Sequence, residues 1–174
     1  MENIYRPGGK DYLHVNDDRL LKVDNNYVDY LKSLAQRNSL GKCTMCLHND
    51  IRDHVHEMVN VYPKDTYVRP HSHPIKTETR IIIEGKLLVV IFDKMGEILD
   101  EFVLQKEGIF TARMDKGIIH TNIPLTDVVY HEVLTGPYVG KDDSVFPEWA
   151  PELDDEDGIK KIMDKIYQKY EKGE

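Results

Sequence analysis

The chain has 174 residues, 40% of them hydrophobic, and a formal net charge of −8. That length and apolar content suit one domain with a sizeable core. The acidic balance excludes a phosphate-neutralising surface spread over the whole molecule, because binding nucleic acid that way needs clustered Lys and Arg.

The first 24 residues are polar and turn-rich and lack the apolar core of a signal peptide. From Asn25 to Gly41, "NNYVDYLKSLAQRNSLG" predicts a short helix: Tyr27, Tyr30, Leu31 and Leu34 fall at helical spacing, Asn25 or Asn26 can cap it, and Gly41 lies just beyond its end. The helix is expected against the outside of a sheet or against a partner chain. Cys43 and Cys46 follow in "CTMC", too few for a disulfide framework. The apolar, β-branched context predicts a strand, on which residues three apart face opposite ways, so two separate strand thiols are expected rather than a redox pair.

From Cys43 to Thr135 the period changes. "VHEMVNVY", "TETRIIIE", "KLLVVIFD", "EILDEFVL", "GIFTARM" and "TDVVYHEVL" are strand-like runs separated by turns at "PKD", "EGK" and "DKMGE". Their close spacing predicts an antiparallel sandwich or barrel. The longest purely apolar run, "LLVVIF", is far too short to span a bilayer. With sparse cysteine, this favours a cytoplasmic location. After Gly136 the Pro- and aromatic-rich "GPYVGKDDSVFPEWAPE" reads as an extended covering loop carrying Trp149, the only tryptophan. The C-terminal stripe Ile159, Ile162, Met163, Ile166, Tyr167 and Tyr170 predicts an amphipathic helix with acidic residues at its start. The organisation expected is thus an N-terminal arm and helix (1–42), a barrel (43–135), and a covering loop with a C-terminal helix (136–174), forming one structural domain. The helices' apolar faces are also compatible with a homodimer.

The chemistry concentrates in "RPHSHPIKTETRIIIEG". On a strand His71 and His73 share a face and can address one ion; a turn at Pro74 can return Glu78 to the same point, and His120, from a neighbouring strand, is the fourth candidate. Imidazoles with a carboxylate suit one divalent transition metal: Fe, Mn, Ni, Co, Cu or Zn. Four ligands close a tetrahedral site, whereas five- or six-coordination leaves room for a substrate. "DHVHE" carries a second alternating pair, His54 and His56, but Glu57 faces the other way, so surface or strand-entrance histidines are expected there. His14 and His131 have no local partners.

Parity extends the reading. If Glu78 faces inward so do Arg80 and Ile82, and with His71 go Arg69 and Tyr67. Arg80, Arg69 and Tyr67 are therefore candidates for binding an anionic ligand, with internal pairing to a carboxylate such as Glu132 as the alternative for the arginines. Glu132, with Tyr130 on its face, is the candidate general base, or else a carboxylate that orients a ligand histidine.

"HSHPIKTETRIIIEG" resembles the first signature of the cupin superfamily and "GIFTARMDKGIIHTN" the second. The resemblance implies a mainly β, single cupin (double-stranded β-helix, jelly-roll) barrel whose metal ligands are His71, His73, Glu78 and His120. Asp65 stands where the first signature usually opens with Gly. Over residues 37 to 151, "CLHND", "VYPKDTYVRPHSHP", "VVIFDKMGEI", "HEVLTGPY" and "FPEWAPE" are similar to the WbuC-type cupin metalloproteins, associated with bacterial O-antigen and other surface-polysaccharide gene clusters. That implies a metal-dependent step on a carbohydrate or sugar nucleotide, such as isomerisation or epimerisation. An iron-dependent oxygenase and a non-catalytic, metal-dependent binding module are the alternatives.

Overall fold

A computed structural model of the chain describes residues 2–5, 11–15, 20–38 and 40–173. Among these residues ten strands form two sheets: β1 (Glu2–Tyr5), β2 (Asp11–Val15), β3 (Cys43–Cys46), β4 (Val55–Tyr62), β5 (Glu78–Glu84), β6 (Leu87–Phe92), β7 (Ile98–Leu104), β8 (Thr111–Met114), β9 (Ile119–Pro124) and β10 (Val128–Thr135). The larger sheet has the order β1-β2-β3-β4-β10-β5-β8 and the smaller β7-β6-β9. His71 forms an antiparallel bridge with His120 of β9, adding a fourth element to the smaller sheet. The layers β4-β10-β5-β8 and bridge-β9-β6-β7 make the double-sheet jelly roll of a cupin barrel. β1 and β2 are strands in a segment expected to be turn-rich; at 4 and 5 residues they are too short to show a period, and β2 is fixed by parallel pairing to β3.

β6 explains why "LLVVIF" is apolar throughout. Leu87 and Val89 pack between the sheets with Ile82 and Val128, while Leu88, Val90 and Phe92 pack outward. A strand buried on both faces has no polar alternation. Helix α2 (Glu156–Gly173) covers that outer face through Ile162, Met163, Ile166, Tyr167 and Tyr170, the stripe expected from the sequence except for Ile159. Helix α1 (Asn25–Ala35) covers the larger sheet's outer face through Val28, Leu31 and Leu34. Its cap is Asp24 rather than Asn25 or Asn26: the extended backbone there lets the carboxylate accept the N–H groups of Asn26 and Tyr27. Cys43 lies under α1 and Cys46 lines the opposite, interior side, as strand parity requires.

Two turns set the barrel's ends. Asp65 adopts a left-handed conformation (φ 58°), which accounts for glycine at this point of the signature. Here the carboxylate compensates by accepting a 2.7 Å hydrogen bond from the Tyr167 hydroxyl. Gly96, in the β6–β7 turn, has φ +85°, and a Cβ there would stand 2.9 Å from the Trp149 ring. Gly96→Ala is expected to destabilise the fold by about 1–3 kcal/mol through backbone strain and overpacking. Denaturation followed by the fluorescence of Trp149 checks this; an unchanged midpoint would mean the turn can yield without loss.

Candidate metal centre

The pairing of two strand segments builds the site. The His71 N–H donates to the His120 carbonyl at 3.0 Å and the His120 N–H to that of His71 at 2.8 Å, which sets the two rings 4.6 Å apart. His73, two residues on, brings its ring within 5.0 Å of His71. Each ring is then fixed from behind. Nδ1 of His71 lies 2.8 Å from the Arg69 carbonyl, that of His73 2.7 Å from the Asp143 carbonyl, and that of His120 3.0 Å from the Ile118 carbonyl. A carbonyl only accepts, so every Nδ1 carries its proton and donates, and every Nε2 is turned to the common centre. One ring nitrogen from each histidine lies within 4.8 Å of the other two, so the three can hold a metal ion.

Glu78 opens β5 beside them. One carboxylate oxygen is 2.7 Å from His120 Nε2 and the other 3.7 Å from His73 Nε2. Because Nδ1 of His120 already holds a proton, a neutral ring would aim a lone pair at the carboxylate. A cation coordinated by both atoms would relieve that contact, and the donor set of three imidazoles and a carboxylate fits a transition ion.

The electrostatics keep His71 and Glu78 in metal-binding form. Burial, with His120 next, pushes His71 down to about 3. For Glu78, burial alone would raise the carboxyl, but Arg80, His120 and His73 outweigh it and hold it well below the carboxylate range. Between the ordinary histidine value of 6.5 and about 3, the unfolded chain therefore binds a proton at His71 that the folded chain refuses. The stability this contributes is complete above 6.5 and is lost as pH falls through that window, by up to about 1.4 kcal/mol per pH unit. The melting temperature of metal-free protein is expected to fall between pH 7 and pH 4, and less steeply in His71→Asn. Equal slopes in the two proteins would place the acid sensitivity elsewhere.

Glu78, Arg80 and Ile82 are buried and alternate with half-buried neighbours, as strand parity requires. Arg80 grips Glu78 through both terminal nitrogens, at 2.7 and 2.9 Å, and reaches Glu132 of β10 at 3.1 Å. The network continues across the sheet: Asn60 donates to Glu132 at 3.2 Å, and the Thr44 hydroxyl donates to Asn60 at 2.5 Å. With both ends of its fork committed to protein carboxylates, Arg80 is an internal partner and does not present a free guanidinium to an anionic ligand. Between the histidines and Glu132 lies a cavity of ≈ 560 Å³, walled also by Met58, Val68, Leu134 and Tyr138. Tyr130 lines it as a neutral hydroxyl, raised well above its ordinary value by burial and by Tyr62.

Arg69 and Tyr67 lie outside this cavity. Arg69 donates to the Ala150 carbonyl at 3.1 Å and stacks 4.7 Å from the Phe146 ring, and the Tyr67 hydroxyl donates to the Pro151 carbonyl at 2.8 Å. Residues 66–70 are not a strand, so the alternation carried backward from His71 does not hold there. Both side chains clamp the covering loop instead. His56 also departs from the surface reading: it is buried, lines the cavity and stacks on His48 at 4.2 Å, whereas His54 is exposed. Alternation along β4 puts His56, Met58 and Asn60 on one face, a signal the sequence did carry. His131 stands 3.7 Å from Glu57, away from the cavity, and the His14 side chain lies outside the described residues.

Residues 23–104 match a family described as a domain of unknown function, DUF6016. No curated protein matches the chain. Among solved structures, the capsular polysaccharide assembling protein CapF from Staphylococcus aureus aligns at 19% identity over 55% of this chain, with a TM-score of 0.48. Recombinant oxalate oxidase in complex with glycolate aligns at 19% identity over 62%, TM-score 0.47, and a cupin superfamily protein from Desulfitobacterium hafniense at 13% identity over 54%, TM-score 0.45. The chain spans 27%, 56% and 76% of the lengths of these three proteins, respectively. Among the described residues, no helix is long and apolar enough to cross a membrane.

Proposed function

We propose that this cupin barrel is a metal-dependent enzyme that binds a small carbohydrate-derived ligand at an ion held by His71, His73, Glu78 and His120, and that Glu132 exchanges a proton with that ligand. The observation that carries the reading is the convergence of three imidazoles, each fixed through Nδ1 by a backbone carbonyl, on a carboxylate 2.7 Å from one of them. A divalent transition ion supplies Lewis acidity toward a carbonyl or hydroxyl oxygen.

The protein's own residues divide the remaining work. Arg80 and Asn60 aim Glu132 from two sides, so the carboxylate needs no reorganisation to accept a proton. Tyr130 keeps its proton and can donate a hydrogen bond. Since Arg80 is engaged, a ligand's negative charge has to meet the ion itself rather than a free side-chain cation in the described wall. The carbohydrate class, and a role in O-antigen or related surface-polysaccharide synthesis, are supported by the WbuC-type resemblance over residues 37 to 151. An isomerase or epimerase step suits a base placed across a cavity from a Lewis acid.

Solvent-exchange measurements test this. Protein loaded in turn with Zn²⁺, Mn²⁺, Co²⁺ or Ni²⁺ is incubated in D₂O with a panel of keto- and hydroxy-sugars. Deuterium is expected beside the carbonyl of at least one, with Glu132→Gln slowing its uptake by roughly a hundredfold or more. Oxygen uptake by Fe²⁺-loaded protein, with no exchange in any sugar, would replace the isomerase reading with an oxygenase. Tight ligand binding with neither reaction would leave a binding module.

A further inference from the structure

Lys76 is an unexpected residue to find buried. It lies in the short loop between His73 and Glu78, where a lysine ordinarily reaches water, yet it is 2% exposed. Its Nζ sits 2.5 Å from Asp143 Oδ1. Beyond that ion pair Nζ has no hydrogen-bond partner among the described residues, and it faces the Tyr138 ring at 5.9 Å. An ammonium taken out of water against one carboxylate is an expensive arrangement and a poor source of stability.

What the pair joins explains its placement. Asp143 follows the 3-10 turn Gly140–Asp142 of the covering loop, and its Oδ1 also accepts the Val139 N–H at 3.1 Å. The carbonyl of this same residue accepts Nδ1–H of His73 at 2.7 Å. The side chain of Asp143 therefore grips the loop between two metal-ligand candidates while its backbone aims one of them. Next to it, Ser72 and Val145 exchange two backbone hydrogen bonds of 2.9 Å, and the Ser144 hydroxyl lies 3.4 Å from His73 Nδ1. Asp143 and Ser144 also form part of the cavity wall.

We infer that the Lys76–Asp143 ion pair is a positioning latch, which seats residues 139–145 of the covering loop against the ligand loop and thereby fixes the His73 ring for metal binding. The inference rests on the metal-centre reading above. Lys76 and Asp143 are positioning residues: neither side chain is a ligand in it.

The test compares wild type with Lys76→Met, Asp143→Asn and the exposed control Lys64→Met. In metal-free protein, ¹⁵N-edited spectra read the ring N–H protons. Wild type and Lys64→Met are expected to show slowly exchanging Nδ1–H signals for His71, His73 and His120, and the two latch variants to lose that of His73 alone. Co²⁺ titration followed by visible absorption is expected to show both latch variants weakened about tenfold to a hundredfold. A retained His73 signal with Co²⁺ affinity within twofold of wild type would overturn the latch. Loss of all three ring signals together would also overturn it, since the pair would then hold the fold and not one ring. If wild type itself binds no Co²⁺, the metal-centre reading fails, and the His73 signal in metal-free protein still decides whether the latch exists.

Discussion

Arg80→Met is expected to destabilise the protein by about 3–5 kcal/mol, because removing one member of a buried charge network strands the others. Arg80 is buried and ties Glu78, at 2.7 and 2.9 Å, to Glu132, at 3.1 Å. Methionine would fill much of the same space but leave two carboxylates on neighbouring inward positions with no cation between them. For a chain of this length each kcal/mol moves the midpoint by about 2–4 °C, so a fall of roughly 10 °C is expected. Two additions should recover part of it: Glu132→Gln in the same chain, which removes one stranded charge, and saturating Zn²⁺, which replaces the lost cation next to Glu78. Thermal denaturation monitored at Trp149 checks all four states. A midpoint within a degree or two of wild type would mean that the guanidinium is not the counter-charge these carboxylates need, and would return Arg80 to the role of ligand anchor.

His73→Ala and His120→Ala are each expected to remove metal-linked stabilisation. An ion that binds only the folded state adds about 2.7 kcal/mol when present at 100 times its dissociation constant. Wild type should therefore melt several degrees higher with Zn²⁺, Mn²⁺, Co²⁺ or Ni²⁺ than without, and the two variants should not. His54→Ala serves as the control, because that ring is exposed outside the site. Equal stabilisation of all four proteins would locate the binding elsewhere on an acidic surface.

Short-range periodicity made much of this site legible. The HxH spacing and the position of Glu78 gave three ligand candidates, and strand alternation carried the reading correctly to Arg80 and Ile82, both buried. The same rule misplaced Arg69 and Tyr67, since it applies only inside a strand and residues 66–70 form none. His120 was reachable because its signature is local. What holds it beside His71 is a pair of backbone hydrogen bonds between segments nearly fifty residues apart, which no local pattern displays. Lys76 and Asp143 were invisible for a related reason. Each sits in a polar loop that reads as solvated, and only the folding of the covering loop onto the ligand loop buries them together. Arg80 was read with two possible partners, and register decided between them by setting it directly opposite Glu132.

X-ray absorption at the zinc edge of protein reconstituted with one equivalent of Zn²⁺, with His120→Ala treated identically, is the most direct measurement. The expected spectrum shows three imidazoles at about 2.0–2.1 Å with oxygen completing the shell. His120→Ala is expected to show two imidazoles or to bind no stoichiometric zinc. A wild-type spectrum with oxygen ligands only, or one unchanged in His120→Ala, would contradict the metal centre built on His71, His73, Glu78 and His120.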